Sequence, residues 1–186
     1  LGPKKDISRF SDEELMSLMV KGNRYAFERL YEQYFNRLVW FARGFVKEEE
    51  QVRDLVQDVF LRLIEKPEMF DTDQKFSTWI YVVTANRCRQ HLRDNSNRLR
   101  IMREEFGEEP EAYVHNVFAS DKAIVRDKVQ EVYASLSVKE KGIYNLRFVD
   151  EKTIREISEI LQIPEGSVKS GIYYLLKKFA YHLKDI

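Results

Sequence analysis

Two groups of side chains in this sequence have the types and spacing to hold nucleic acid, and neither resembles a bond-breaking centre. The first lies near the C-terminus. Val168, Ile172, Leu175, Leu176, Phe179 and Leu183 share one side of a helix at about 100° per residue, and Gly166, Ser170, Tyr173 and Lys177 fall on the opposite side. Small, polar and basic side chains on an open helix face can reach base edges and phosphates in a major groove. The second group lies between Phe76 and Arg93. Trp79, Val83, Asn86 and Gln90 line up there, flanked by Arg87 and Arg93, while Tyr81, Thr84, Ala85, Cys88 and Leu92 form an inward face. An indole in line with two amides offers a stacking surface for unpaired bases, at about 1–3 kcal/mol per base. The amides suit base edges and the arginines suit phosphates. The alternative is a Trp covered by another helix of the same domain.

The elements that must position these groups are helical. Thr153 can cap a short helix with apolar residues at Ile154, Ile157, Ile160 and Leu161. Gln162 and Ile163 make a turn, and Pro164 stands where a second helix can begin. Two short amphipathic helices joined this tightly predict a helix-turn-helix. Upstream, Ser11-Asp12-Glu13-Glu14 reads as a capping-box start for a helix through Val20. A second helix spans Tyr25 to Phe45, with Ala26, Phe27, Leu30, Tyr34, Leu38 and Phe41 as core. A third, Glu49 to Glu65, buries Val52, Val56, Val59, Phe60 and Leu63 and presents Asp54, Gln57, Asp58, Leu61 and Glu65. An exposed leucine ringed by carboxylates fits a docking patch, where apolar contact gives affinity and charge gives selectivity. An ordinary solvated face is the other possibility.

Composition bounds the fold. With 186 residues and 44% hydrophobic content the chain can build one medium domain or two small ones. Seven glycines and four prolines are few, and strand-like alternation is nearly absent, so an all-α protein of two small helical domains is expected. The segment from Met102 to Asp121 holds Gly107, Pro110 and clustered glutamates without helical period. It predicts a linker over residues 101–121 between an N-terminal domain of residues 1–100 and a C-terminal domain of residues 122–186. Leu1-Gly2-Pro3 reads as a cloning or protease scar. No secretory signal or bilayer-length apolar run is seen, so no membrane insertion is expected. A lone Cys88 allows no internal disulfide and fits a reducing compartment, the cytoplasm.

Zero net charge conceals strong blocks. From Glu48 to Asp73 nine acids face three bases; from Lys75 to Arg103 seven bases face one acid. Glu104 to Asp121 holds six acids, and Pro164 to Lys184 returns to a charge of +3. Alternating blocks aligned with helix boundaries imply separate surfaces for separate partners.

Catalysis finds little support. Gly166-Ser167-Val168-Lys169-Ser170-Gly171 has no Lys-Ser/Thr after its last glycine and no preceding strand, unlike a phosphate loop. His91, His115 and His182 are scattered, and Asp54 and Asp58 lack further ligands at metal spacing. Hence no enzyme, metal, cofactor or small-molecule substrate is expected. A repressor or activator using only the helix-turn-helix would leave the Trp79 face unexplained. A helical adaptor would leave the basic helix unexplained.

Three stretches carry a resemblance to the extracytoplasmic-function (group 4) sigma factors of bacterial RNA polymerase, over nearly the whole chain. Asp54-Leu55-Val56-Gln57-Asp58-Val59-Phe60-Leu61-Arg62 is similar to the family's region 2.2, which implies docking on the β′ clamp helices. Phe76-Ser77-Thr78-Trp79-Ile80 with Ala85-Asn86 and His91-Leu92-Arg93 is similar to regions 2.3 and 2.4, which open and read the minus-10 element. Leu136 to Lys141, Ile157 to Leu161 and Gly166 to Ser170 resemble region 4, which reads the minus-35 element and touches the β flap. The resemblance implies that Trp79, Asn86 and Gln90, with Arg87 and Arg93, engage the minus-10 strand. It places Glu165, Gly166, Lys169, Ser170, Tyr173 and Lys177 at the minus-35 element, and Asp54, Gln57, Asp58, Leu61 and Arg62 on core polymerase. It also implies an acidic linker running through polymerase and a partner anti-sigma factor. The chain departs from the family at Gln90, usually an acid; at Ala85, often arginine; at Gly171, usually arginine; and at Gln162, commonly glycine.

Overall fold

The computed structural model describes residues 9–106 and 123–184, without the side chains of residues 98–106 and 123–127. Among the described residues there are eight α-helices and no strand: α1 (Asp12–Val20), α2 (Arg24–Ala42), α3 (Glu49–Glu65), α4 (Phe76–Phe106), α5 (Ala123–Ala134), α6 (Val138–Tyr144), α7 (Ile154–Leu161) and α8 (Glu165–His182). They divide into two compact units, the first reaching Arg89 within α4 and the second holding most of the remainder.

In the first unit local signals set the helix ends. Ser11 and Glu14 exchange side-chain and backbone hydrogen bonds as a capping box on α1, and Asn23 Oδ1 accepts the N–H groups of Tyr25 and Ala26 to start α2. α3 has no side-chain cap. Its first turn is held instead by Arg43, which donates to Glu49 through Nε and Nη2 at 2.8 and 2.6 Å. That bidentate contact keeps the Glu49 carboxyl below the usual carboxylate range. α1 packs on α2 and α2 on α3. Phe60 meets Tyr31 edge-on at 4.9 Å, and Tyr34 and Phe41 meet Phe76 and Tyr81 of α4 at 5.4 and 5.2 Å. These edge-to-face pairs fix α4 across the bundle. The Tyr34 hydroxyl donates to Asp12. Burial, with that carboxylate beside it, pushes the phenol pKa up.

α4 is longer than its apolar pattern suggested. No glycine or proline occurs from Phe76 to Phe106, and Gly107 follows, so nothing breaks the helix at residue 101, where the linker was expected to begin. From residue 107 that linker lies outside the described residues.

In the second unit α8 packs on α5 and α6 over Val132, Leu136, Ile143, Leu146, Ile157, Val168 and Leu175. Tyr144 stacks on Phe179 at 5.3 Å. A capping box of Ser137 and Glu140 starts α6. Beyond Tyr144 the chain makes a π turn, Asn145–Val149, which the sequence pattern did not reveal. Its buried Asn145 and the Tyr133 hydroxyl hydrogen-bond at 3.0–3.1 Å, so the widened turn keeps its polar side chain satisfied.

Candidate nucleic-acid and partner interfaces

The Trp79 face is built on the first five turns of α4. Glu13 Oε1 accepts the N–H of Phe76 at 2.9 Å, and the Lys75 carbonyl accepts those of Thr78 and Trp79. Phe76, Ile80, Tyr81, Thr84, Ala85 and Cys88 turn inward and are buried, and Leu92 is half-buried. Burial pushes the Cys88 thiol up to about 12, so it is neutral and a poor nucleophile.

On the other side, Asn86, Gln90 and Arg93 are exposed, and Val83 is half-buried. Trp79 is half-buried too, with its ring 5.3 Å from Phe70 and 5.8 Å from Phe76. Neither ring comes from another α-helix: Phe76 belongs to α4 itself and Phe70 to the segment before it, and the indole stays half-buried. Arg89 donates to Asn86 Oδ1 at 2.5 Å. Arg87 does not stand open as its wheel position suggested. Its Nη2 lies 2.6 Å from Asp58 Oδ2 of α3, a neighbour that no wheel of α4 alone can show.

On α3, Asp54, Gln57, Leu61 and Arg62 are exposed and Asp58 is half-buried. Leu61 keeps 55% of its surface open. The sequence reading missed two further exposed apolar residues, Ile64 and Met69. Ile64 lies about 100° from the middle of the buried face of α3, which was the available signal.

The helix-turn-helix forms as its pattern suggested. Thr153 and Glu156 exchange hydrogen bonds at the start of α7. Gln162 adopts φ 57°, the left-handed conformation that glycine takes most easily. Ser158 secures the turn, its hydroxyl donating to the Ile163 carbonyl at 2.6 Å and its carbonyl accepting from Ile163 N–H at 3.1 Å. Pro164 caps α8 from outside, where its carbonyl accepts from Ser167 and Val168.

Val168 and Leu175 of α8 are buried, and Ile172, Phe179 and Leu183 are half-buried. Leu176, expected on that face, is 54% exposed. At about 100° per residue it sits about 90° from the middle of the buried Val168 and Leu175, at the edge of the packed surface. Glu165, Gly166, Lys169, Ser170, Tyr173 and Lys177 are all exposed, as is the unanticipated Tyr174. The Ser170 hydroxyl donates to the Gly166 carbonyl at 3.0 Å, which leaves its oxygen as an acceptor. Gly171 turns toward α6: a Cβ there would lie 2.5 Å from Ile143 Cδ1. Glycine is thus explained by close packing of two helices as well as by its lack of a side chain.

Among the described residues no cluster of three or more His, Cys, Asp or Glu could hold a metal, and no helix is long and apolar enough to cross a membrane.

Comparison with known proteins finds two family models along the chain. The model of sigma-70 region 2 matches residues 30–98, and that of sigma-70 region 4 matches residues 126–178. The chain is 25% identical over 174 residues to the ECF RNA polymerase sigma factor SigW of Bacillus subtilis, covering 89% of this chain and 93% of that one. Two solved structures share its fold. CnrH, in complex with the cytosolic domain of CnrY, superposes with a TM-score of 0.65 at 21% identity, over 94% of this chain and 97% of that one. The sigma factor RpoE of Bartonella quintana, in complex with the anti-sigma factor NepR, gives 0.66 at 18% identity, over 85% and 96%. With region 2 matched across the helices that present Leu61 and Trp79, and region 4 matched across the helix-turn-helix, the chain belongs to the sigma-70 family, in its extracytoplasmic-function group.

Proposed function

We propose that this sigma factor directs core RNA polymerase to promoters through three faces with separate tasks. Asp54, Gln57, Asp58, Leu61 and Arg62 of α3 dock on core polymerase at the β′ clamp helices, Leu61 supplying apolar contact inside an acidic rim. Glu165, Gly166, Lys169, Ser170, Tyr173 and Lys177 of α8 enter the minus-35 major groove, and the same C-terminal domain reaches the β flap. Trp79, Asn86 and Gln90 of α4 capture a base flipped from the minus-10 non-template strand, with Arg87 and Arg93 on its phosphates. Unstacking a base costs a few kcal/mol, so a preformed receptor turns transient opening into a stable bubble. All of this is binding, and no catalytic group is called for.

The observation that carries the reading is the Trp79 line. A half-open indole held by Phe70 and Phe76 stands on a pinned helix above exposed Asn86 and Gln90. Ring clamping fixes its orientation before DNA arrives, which lowers the ordering cost of capture. An anti-sigma factor is a natural second partner, because RpoE was solved with the anti-sigma factor NepR and CnrH with the cytosolic domain of CnrY. The work takes place in the cytoplasm, where polymerase and promoter DNA are found.

The test is reconstitution with core polymerase on a library of promoter fragments. Transcription requiring both proteins, with Trp79→Ala forming holoenzyme but about tenfold fewer permanganate-reactive open complexes, is expected. Tight, specific duplex binding without polymerase, and no directed transcription, would support a repressor or activator instead.

A further inference from the structure

Asp58 and Arg87 belong to faces with different partners, yet they are bonded to each other. Arg87 Nη2 meets Asp58 Oδ2 at 2.6 Å, and both side chains are half-buried. The pair is incompletely satisfied, because Arg87 Nε is buried with no hydrogen-bond partner among the described residues. A guanidinium with a buried, unused donor gains when its neighbourhood changes to supply another acceptor. A phosphate is such an acceptor, and a basic partner surface is the corresponding competitor for Asp58.

We propose that the Asp58–Arg87 ion pair is a gate that couples polymerase docking to single-strand capture. It rests on the functional reading above. In the free protein Asp58 neutralises an arginine that flanks the Trp79 line and holds it against α3. When a cationic polymerase surface takes Asp58, Arg87 is released to a phosphate of the non-template strand. The two binding events then assist each other, since either one removes the cost of breaking the pair for the other. Such coupling is reciprocal by thermodynamic necessity. It also keeps the free chain from spending its strand-binding face on stray single-stranded nucleic acid.

The reciprocity makes the test sharp, because each substitution should improve binding of the partner assigned to the other residue. Binding of a fluorescein-labelled minus-10 non-template oligonucleotide to the free chain is measured by anisotropy across a salt series. Asp58→Asn should bind it about fivefold more tightly, the worth of a partly exposed ion pair, and steepen the salt slope by about 0.7, one single-strand phosphate. Arg87→Gln in the Asp58→Asn background should erase both gains. Conversely, Arg87→Gln alone should raise affinity for core polymerase about fivefold. A merely structural pair would lower both affinities when broken, and misfolding cannot produce a gain.

Trp79→Ala serves as the reference. If it leaves oligonucleotide binding by Asp58→Asn unchanged, the strand-capture reading fails and the gate fails with it. If it weakens that binding while Asp58→Asn is no tighter than wild type, the gate alone is overturned. No detectable binding by Asp58→Asn, or unchanged polymerase affinity for Arg87→Gln, also overturns it.

Discussion

The carboxylate of Glu13 accepts the backbone N–H of Phe76 at 2.9 Å, so a residue of α1 caps the helix that carries Trp79. An acid at this end also meets the positive pole of the helix dipole. Trp79 is the fourth residue of α4, inside the turn that this bond holds. Glu13→Ala should cost about 1 kcal/mol in urea denaturation, the usual worth of a cap. It should lower open-complex yield more than holoenzyme formation, because the first turn of α4 frays while α3 stays intact. Glu13→Gln, which keeps an acceptor, should restore most of both. An open-complex yield that tracks stability alone would remove Glu13 from any positioning role.

Leu61→Arg tests the α3 face more cleanly than a change at Asp58. With 55% of its surface open, Leu61 contributes little to the core, so stability should stay within about 0.5 kcal/mol of wild type. Holoenzyme formation, followed by native gel or size-exclusion chromatography, should be lost. Asp58→Arg would instead set two cations where Arg87 now sits 2.6 Å from a carboxylate, mixing lost docking with internal repulsion. Retained holoenzyme in Leu61→Arg would move the docking site elsewhere.

The legible parts of the fold were those written in local chemistry. α3 runs from Glu49 to Glu65 as its periodicity indicated, and Ser11 and Thr153 cap through the residues three positions on. What stayed hidden depends on neighbours remote in sequence. The extension of α4 to Phe106 carries only Leu99, Ile101, Met102 and Phe106 as apolar residues beyond Leu92, a weak pattern beside the absence of any breaker. The π turn at Asn145 carries a side chain that hydrogen-bonds to Tyr133, twelve residues earlier. The candidate faces were legible as lists of exposed residues, since amphipathicity separates inside from outside. Arg87 and Asp58, half-buried where they pair across two helices, and the half-buried Trp79 were the exceptions.

Lys169 is exposed on α8 and forms no ion pair among the described residues, so its charge is available to DNA. Lys169→Ala should weaken holoenzyme binding to a promoter and flatten the dependence of log affinity on log salt by about 0.9, one duplex phosphate. A loss of affinity with unchanged slope would mean that Lys169 reads a base edge or acts through packing.

The capping box of α6 predicts a small acid-side instability. The Ser137 backbone N–H, then its hydroxyl, hold the Glu140 carboxyl below its ordinary value of 4.5. The charged form is the one favoured on folding. Its stabilisation is therefore complete above the unfolded pKa and lost as pH falls through the lower folded pKa. Because the carboxylate is largely open to solvent, the effect should be about 0.5 kcal/mol or less. Wild type and Glu140→Gln should differ in urea stability at pH 6 and converge as pH falls through the lowered folded pKa. A constant difference across that range would show that the cap acts through shape alone.

Gly171 offers a test of how α6 spaces the recognition helix. In an open helix Gly→Ala gains about 1 kcal/mol, but here the new methyl would lie 2.5 Å from Cδ1 of the fully buried Ile143. Gly171→Ala should therefore fail to stabilise the wild-type chain in thermal denaturation. Ile143→Val removes that Cδ1 at a cost of about 1 kcal/mol. In that background Gly171→Ala should recover its propensity gain, giving a coupling of about 1 kcal/mol in a double-mutant cycle. An arginine, the usual family residue here, begins with the same Cβ and would meet the same Ile143 Cδ1. Stabilisation by Gly171→Ala in the wild-type background would show instead that Ile143 yields to another rotamer at little cost, leaving α8 free to accept the arginine.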